Sequence, residues 1–600
     1  MEYPINQVHF NVFVTRRFNT WYTLNDGNWS DPNIWISPGL DKHIHTSPQP
    51  GDNVYINHVV TLDTSVALNQ LIVGGTLKVD GMTTRTLTIN GTLQATGTLD
   101  FSGSDVSLLL NSYYNVFPNF IAGVSRVTYA WNGDQLLAPV NYYNLTISGS
   151  GLRFLAANTT IGNAFNSSNG TLDLSTFDFT VNGNAIVSNN GVSASTIRRL
   201  GSTGYTLFKG PQTTNNGATF NFSGNGDIEF QNGWATDNST SIVMGTGNIK
   251  FTTNNQAFSS NSYISFTGTT TIAAGITLTN NGRMNFTTTI TGLSSLSTLN
   301  NDGIIRYNST TVMGNIMSTG IYNYMHGASS TLEFLITGSY TLPYTSFQSI
   351  TLFGVGTKTL AGNTTIAGTL NNNSGGTGCI LECSTFNLTV TGTTLSGNNG
   401  KISKTGAGAL IFVGLVNFDN GGISDFSGGN PTIEFRGGLT ANAINATLLN
   451  FGTGNITFST NNQNVIWTGF TIVNNIIISG AITVTFAGLL TNVLTLTGTI
   501  DGNNANSILD HRGLLNYQNA TAPMATLGKL YCNQATNTWI YGLAGNQDIK
   551  VPGDPTPGYK NLTLQGSGAK KLLGNVSVKG TYTLTGPATL NSNGFALTNP

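Results

Sequence analysis

Apolar and polar residues alternate along short stretches of this chain, and glycine or an Asn-Gly pair separates one stretch from the next. Two early examples are LIVGGTLKV at 71–79 and LTINGTLQA at 87–95. A period of two is typical of β-strands, because successive side chains point to opposite faces of a sheet. No apolar stripe with the helical period continues over about ten residues, so we predict no helix. Short strands that return through tight corners and stack in parallel form a β-helix.

One long stretch occurs three times and organises the rest of the chain. Its copies cover 143–181, 349–390 and 560–598. Leu145, Ile350 and Leu562 are equivalent, which gives offsets of 205 and 212 residues. The register continues downstream, where GTGNIKFTTNNQ from Gly245 matches GTGNITFSTNNQ from Gly452 at an offset of 207. Self-similarity of this kind indicates a repeat architecture.

We therefore predict an all-β fold, an elongated right-handed parallel β-helix (β-solenoid) with two tandem repeats of about 205–212 residues and a partial third. With about 20 residues in each turn, the chain would form between about 20 and 30 turns. The predicted segments are a leader, cap or attachment segment at 1–25, a β-helix start and lead-in at 26–142, repeat 1 at 143–348, repeat 2 at 349–559 and the partial repeat 3 at 560–600.

The composition describes a polar surface with little charge. Charged residues make up 8% of the chain and the formal net charge is −1, whereas about 25% of residues are charged in an ordinary globular protein. Such a surface does not attract nucleic acid or anionic lipid, so we predict no nucleic-acid partner. Hydrophobic residues still make up 39%, which argues against disorder.

No stretch of about 18 apolar residues is present, so we predict no insertion into a membrane. The N-terminal MEYPINQVHFNVFVTRRF lacks the basic and then apolar order of a secretion signal. The sequence ends within the third copy, at GFALTNP, without a visible cap. Because solenoids need caps, we expect another subunit or a partner protein to cover the last turn.

Residues that could carry chemistry are few and scattered, and we predict no catalytic residue, no metal site and no cofactor. Asp173 and Asp178 could form the carboxylate pair that glycoside hydrolysis requires, and their alternative role is at corners and on the surface. Glu229 and Glu434 recur at equivalent positions, and Glu333 lies in a similar motif. Recurrence indicates a structural position rather than a catalytic one.

His43 and His45 would face the same side of a strand and could bind a metal on the axis of a trimer. A solvated loop is the alternative, and it is the one we predict. Cys379, Cys383 and Cys532 are too few for a disulfide framework, so we predict small buried apolar side chains.

Exposed aromatic rings could bind sugars by stacking, but tryptophan usually buries most of its ring. We therefore predict capping or core positions for all seven tryptophans, which are Trp21, Trp29, Trp35, Trp131, Trp234, Trp467 and Trp539.

The first part of the β-helix carries a recognisable order of motifs. Trp29 and Trp35 stand around Asp31-Pro32, and PGDNVYI at 50–56 and VVTLD at 59–63 follow. This stretch resembles the start of a G8-type domain and of β-helical surface proteins of Bacteroidetes. The long Gly/Asn/Thr repeats are similar to those of Bacteroidetes surface adhesins and of fibre-like proteins of phages that infect such bacteria. The resemblance implies a β-helix that works at a surface.

Three hypotheses for function follow. The first is a structural virion fibre or spike, a homotrimer or other homo-oligomer bound to other virion proteins, which attaches to a glycan or protein receptor on a bacterial surface. The second is a bacterial cell-surface adhesin or filament subunit. The third is a tailspike-like polysaccharide depolymerase, which would need a groove with paired carboxylates. The expected location is the virion or, for the second hypothesis, the bacterial surface.

Overall fold

A computed structural model describes residues 19–38, 46–81, 83–188, 195–201, 203–215, 217–236, 241–259, 263–310, 313, 316–373, 378–397, 399–419, 424–442, 449–467, 472–473, 475–488, 493–553 and 557–599. Among them, strands alternate with tight turns, and one turn of 3-10 helix lies at Pro32–Ile34. Most of the predicted leader lies outside the described residues.

The strands pair in parallel with strands one turn away along the chain. Val59–Leu62 pairs with Thr76–Val79, which pairs in turn with Thr98–Asp100. An antiparallel pair joins Thr20–Thr23 to Trp35–Ile36 at one edge. The predicted all-β parallel β-solenoid is therefore confirmed, whereas the right-handed sense of its coil stays a prediction.

The chain divides into two compact units, and unit 1 comprises Met1–Leu278 and Ile290–Thr298. Its first stack is Trp35–Ile36, Thr20–Thr23, Asn53–Ile56, Gln70–Val73, Leu93–Ala95 and Asn115–Val116. The second is Gly27–Asn28, Val59–Leu62, Thr76–Val79, Thr98–Asp100 and Asn119–Ile121. The third is Val66–Leu68, Arg85–Ile89, Val106–Leu110, Arg126–Tyr129, Tyr142–Ile147 and Thr159–Ser167. A fourth begins later and holds Gln135–Leu136, Leu152–Phe154, Thr171–Asp173, Thr196–Arg198, Thr219–Phe222, Ser241–Met244 and Tyr263–Phe266.

The long strand Thr159–Ser167 divides the third stack into two, because its halves pair with different strands. One branch continues through Phe179–Val181, Tyr205–Phe208, Asp227–Phe230, Ile249–Phe251, Thr270–Ile272 and Ile290–Gly292. The other continues through Ala185–Ser188, Gln212–Asn215, Trp234–Thr236 and Gln256–Ser259.

Unit 2 comprises Thr279–Thr289 and Leu299–Pro600. Its longest stack holds Arg283–Phe286, Ile304–Tyr307, Thr331–Phe334, Ser349–Leu352, Leu370–Asn373, Thr394–Gly397, Val416–Asp419, Leu439–Asn442, Gln463–Trp467, Thr483–Gly488, Ile508–His511 and Lys529–Tyr531. A second holds Ser346–Phe347, Thr364–Ile366, Leu388–Val390, Ala409–Phe412, Thr432–Phe435, Asn455–Ser459, Asn475–Ser479 and Ile500–Gly502. A third holds Tyr340–Thr341, Gly356–Thr359, Cys379–Glu382, Lys401–Ser403, Ser424–Asp425 and Leu449–Asn450.

The later stacks of unit 2 are shorter. One holds Ile472–Val473, Leu494–Leu496, Leu514–Tyr517, Thr538–Tyr541, Asn561–Leu564 and Tyr582–Leu584. The others hold Gln547–Ile549, Gly568–Leu572 and Ala588–Asn591, and then Val576–Ser577 and Leu597–Thr598.

Identical inward positions build the core, and the two long repeats build it in the same way. In unit 1, Phe208, Phe230 and Phe251 form a ladder with ring centroids 5.6 and 5.7 Å apart. The equivalent ladder of unit 2 is Phe412, Phe435 and Phe458, at 5.5 and 5.6 Å. All six rings are buried. Burial of each such side chain contributes about 1.5–3 kcal/mol, so the ladders contribute to the stability of the stacks.

Glycine is required at corners where successive turns touch. A Cβ on Gly97 would lie 1.9 Å from the carbonyl oxygen of Gly75. A Cβ on Gly414 would lie 2.2 Å from that of Gly392, and a Cβ on Gly392 would lie 2.4 Å from that of Gly368. Since no side chain fits such gaps, the glycines fix how closely one turn can follow the next.

A buried cation occupies the same repeat position in each of the three copies. These cations are Arg153, Lys358 and Lys570, all 0% exposed and separated by the offsets of the repeat. The ammonium of Lys358 donates to corner carbonyl oxygens of Gly338 at 2.9 Å, Val355 at 3.1 Å and Gly354 at 3.3 Å. Burial lowers the pKa of Lys358. The cation thus donates to the carbonyl groups of the tight corner, of which that of Val355 also accepts from the backbone N–H of Gly338 at 2.7 Å.

We expect Gly97→Ala to lower the free energy of unfolding by about 1–3 kcal/mol, because the new methyl group would overlap the backbone of Gly75. Gly162→Ala is the matched control, since the atom nearest to its Cβ would be Tyr143 Cδ2, at 3.3 Å, and backbone atoms would lie no closer than 3.7 Å. Chemical denaturation of both variants measures the difference. Equal effects would contradict the role of the corner contact.

We expect Lys358→Met to destabilise the protein by about 1–3 kcal/mol, because it removes the ammonium that donates to the carbonyl groups of Gly338 and Gly354. Lys358→Arg should retain most of the stability, since repeat 1 holds Arg153 at this position. Thermal unfolding of the three proteins tests the prediction. A stable methionine variant would show that water or other donors replace the ammonium.

Candidate functional site: a tyrosine cleft in unit 2

The candidate site lies in the connection between the paired strands Ile304–Tyr307 and Thr331–Phe334. This connection contains the strand Ile321–Asn323 and continues through Tyr324, Met325 and His326. The residues of 321–326, IYNYMH, are half-buried or exposed, unlike the fully buried inward residues of neighbouring strands. The chain here presents aromatic rings outside the core.

Hydrogen bonds to the preceding turn hold this segment in place. The side-chain Nδ2 of Asn323 donates to Asn300 Oδ1 at 2.8 Å. Asn301, which is 0% exposed, donates from its Nδ2 to the carbonyl oxygen of Tyr324 at 3.4 Å. The cleft therefore stands on a scaffold that fixes its backbone.

A carboxylate and an imidazole meet at the rim of the cleft. Nδ1 of His326 lies 2.6 Å from Oδ1 of Asp302, and both side chains remain partly exposed. A Cβ on Gly327 would lie 2.7 Å from the same carboxylate oxygen. Glycine at 327 thus leaves room for Asp302 to approach His326.

Two tyrosines, Tyr322 and Tyr324, line the cleft, and two others contact their rings from behind. The rings of Tyr324 and Tyr344 stack with centroids 4.1 Å apart and planes 18° apart. Tyr322 is inclined by 49° to Tyr324, at 5.8 Å. The hydroxyls of Tyr307 and Tyr322 lie 3.3 Å apart. Tyr322 and Tyr324 therefore form two surfaces at an angle, which Tyr307 and Tyr344 contact from behind.

The cleft has a volume of about 450 Å³ and is lined by Tyr322, Asn323, Tyr324, Met325 and His326. This volume falls within the range of small-molecule sites, about 300–1,000 Å³. Burial disfavours the phenolate and raises the pKa of Tyr322 well above its ordinary value, and it also raises the pKa of Tyr324. The aromatic wall is therefore neutral near pH 7 and offers stacking faces and hydroxyl groups.

The second repeat holds different residues at the positions that line this cleft. Lys529–Tyr531 occupies the place of Ile321–Asn323, between Leu514–Tyr517 and Thr538–Tyr541. At an offset of 208, Tyr322, Tyr324 and His326 correspond to Leu530, Cys532 and Gln534. Leu530 and Cys532 are buried core residues. The scaffold recurs, but the side chains that line the cleft do not recur at these described positions.

Asp173 and Asp178 form hydrogen bonds and an ion pair with nearby residues. Asp173 accepts from the backbone of Ser175 at 2.8 Å and pairs with Arg198 Nε at 2.8 Å. Asp178 accepts from the backbone N–H of Tyr205 at 2.7 Å. Both carboxylates hold corners and successive turns together.

Glu229 and Glu434 occupy equivalent strands and make equivalent contacts. Burial opposes the charge of Glu229, but hydrogen bonds from Gln231 at 2.7 Å, Thr252 at 2.6 Å and Tyr205 hold its pKa below its ordinary value. Glu434 bonds Arg436 through both oxygens, each at 2.9 Å, and the hydroxyl of Ser459. Glu333 pairs with Arg306 at 2.6 Å. Each carboxylate thus links neighbouring side chains on the outer face.

The remaining predicted positions divide between confirmed and corrected ones. The three cysteines are free and buried, as predicted, and burial raises the pKa of Cys379 to about 11. His43 and His45 lie outside the described residues. The tryptophans confirmed as buried are Trp21, Trp29, Trp35, Trp234 and Trp539.

Trp131 corrects the prediction for tryptophan, since it is 40% exposed. Its backbone carbonyl accepts from the buried guanidinium of Arg153, so the residue is fixed by its main chain while its ring faces outward. The side chain of Trp467 is outside what the structure describes.

Sequence reasoning missed the tyrosine cleft because it searched tryptophans and acids. A usable signal was present in the length of one turn. Asp302 and His326 are 24 residues apart, and Asn300 and Asn323 are 23 apart. Residues at this spacing lie side by side on consecutive turns, so the turn length alone would have brought Asp302 to the Tyr-rich segment.

Among the described residues, no group of three or more His, Cys, Asp or Glu side chains could hold a metal ion. In the same residues, no helix has the length and apolar character needed to cross a membrane.

Comparisons with protein families, with curated proteins and with solved structures give no match to this chain.

His511 is a buried titratable group that the sequence analysis did not single out. It is 2% exposed, and Nδ2 of Asn537 lies 2.6 Å from its Nδ1. Its ring packs edge-on against Trp539 at 5.4 Å. Burial lowers the pKa of His511 to about 3. The imidazole therefore stays neutral in the folded protein at mildly acidic pH.

We expect this histidine to make the protein less stable as the pH falls from 6.5 towards 3. The unfolded chain binds a proton near the ordinary pKa of 6.5, whereas the folded chain does not until about 3. Stability then falls by about 1.4 kcal/mol for each pH unit in this window.

His511→Asn, which introduces the residue of the equivalent position 301, should flatten this part of the pH profile. Denaturant unfolding at several pH values measures the slope. An unchanged slope in the variant would assign the acid sensitivity to other groups.

Proposed function

We propose that the chain is a structural fibre or spike protein that attaches a virion to a bacterial surface by binding rather than by catalysis. The observation that carries this proposal is the tyrosine cleft, whose Tyr322, Tyr324 and His326 are replaced at the equivalent described positions of a scaffold that otherwise recurs. Residues that only maintain a repeat are expected in every copy, as with Leu145, Ile350 and Leu562. A feature present in one copy, and dispensable for the same fold in the next, indicates a role in recognition.

The scaffold suits attachment. Parallel strands stacked on ladders of Phe rings resist bending, and contact between corner backbones leaves little freedom between turns. The low content of charge limits non-specific attraction to other surfaces. Several copies in one oligomer would let weak contacts add by avidity.

The contacts of the carboxylates favour binding over hydrolysis. A glycosidase needs one carboxylic acid that keeps its proton near neutral pH. Glu229 and Glu434 instead have lowered pKa values, and Asp173 is paired with Arg198. The depolymerase hypothesis is therefore the weaker one.

We expect native mass spectrometry of the assembly that carries this chain to show a homotrimer bound to capsid, portal or tail proteins. Chemical cross-linking of the same particles would identify the neighbours. Recovery of the chain from membrane or filament fractions of uninfected bacteria, without virion proteins, would overturn the virion proposal in favour of the adhesin.

A further inference from the structure

We propose that the tyrosine cleft binds a neutral sugar, with one pyranose ring stacked on Tyr322 and Tyr324 and its hydroxyl groups bonded at the rim. This inference rests on the proposed attachment function for its biological setting, but the binding itself follows from the chemistry of the cleft.

The charge of the cleft favours a neutral ligand over an anion. No Lys or Arg occurs among the described residues that line the cleft. The charged group at the rim is the carboxylate of Asp302, which lies against the imidazole of His326. A uronic acid, a sialic acid or a phosphate would bring its own negative charge towards this carboxylate without a compensating cation.

The arrangement of the rings favours a flat ligand over a compact cation. One face of Tyr324 is covered by Tyr344, and Tyr322 is inclined by 49° to Tyr324. Two rings at this angle form a corner, whereas recognition of a quaternary ammonium group typically uses a cage of aromatic rings. The C–H face of a pyranose can lie along one ring while its edge meets the other.

Polar atoms at the rim match vicinal hydroxyl groups. Oδ1 of Asp302 contacts His326, and the structure gives its Oδ2 no partner among the described residues. The same holds for Nε2 of His326 and for Oδ1 of Asn323, whose Nδ2 is bonded to Asn300. Two acceptors and an imidazole nitrogen on one rim can share the donors and acceptors of adjacent sugar hydroxyls. Met325 supplies an adaptable apolar contact beside them.

The test uses the full chain and isothermal titration calorimetry with defined probes. These are short gluco- and manno-oligosaccharides as neutral sugars, oligogalacturonate as the anionic sugar, and tetramethylammonium as the compact cation. We expect a neutral sugar to bind most tightly. No binding by any neutral sugar, or tighter binding of oligogalacturonate or tetramethylammonium, would overturn the proposal.

The second repeat supplies variants that the fold is known to accept. Tyr322→Leu and His326→Gln introduce the residues of positions 530 and 534. Each should weaken sugar binding about tenfold or more, which corresponds to about 1.4 kcal/mol. Tyr322→Phe keeps the stacking face and should retain the affinity. Tyr113→Leu, at a tyrosine that is 69% exposed in unit 1, is the control for loss of a surface ring. Unchanged affinity in Tyr322→Leu, with unchanged thermal unfolding, would refute the assignment of the site.

Binding to whole bacterial cells separates this inference from the proposed function. If the wild-type chain and Tyr322→Leu bind cells equally, attachment stands and the sugar cleft fails as its basis. If the chain binds neutral sugar through the cleft but is found on no virion, the inference stands and the virion proposal fails.

Discussion

The structure depends on backbone contact between successive turns at the corners. At Gly97 and Gly414 the gap to the preceding turn is too small for a methyl group. This contact sets the spacing of the turns, and the spacing in turn lets parallel strands bond and inward rings stack. The tight corners also bring several backbone carbonyl groups close together. Buried cations such as Lys358 donate hydrogen bonds to these carbonyl groups.

The sequence predicted the scaffold well because its rules are local and repeated. Alternation in segments such as 71–79 predicted strands, and the offsets between Leu145, Ile350 and Leu562 predicted equivalent inward positions, all of which are buried. Burial of Cys379 followed from the same alternation. The cleft was not predicted, because it depends on the partial exposure of Tyr322 and Tyr324 outside the core and on which turn of the solenoid lies beside them. Trp131 was mispredicted for a related reason: its backbone is fixed by Arg153, so its ring need not be buried to be held.

Comparison of the two long repeats distinguishes residues that maintain the fold from residues that add something to it. The Phe ladders, the buried cations and the outer glutamates recur, and they make corresponding contacts in both copies. Tyr322, Tyr324 and His326 do not recur, and their counterparts Leu530 and Cys532 are buried. A repeat protein thus contains its own control for each local feature.

The near-identical segments GTGNIKFTTNNQ and GTGNITFSTNNQ lie on either side of the cleft in the sequence. Crossing-over between the DNA that encodes them would remove 207 residues in one event. The strands that meet at the new junction, Ile249–Phe251 and Asn455–Ser459, hold equivalent positions, so the shortened product would keep its inward and outward faces. Such a deletion would discard the cleft and preserve the scaffold. Genetic variation in the length of this protein would then be linked to the presence or absence of the cleft.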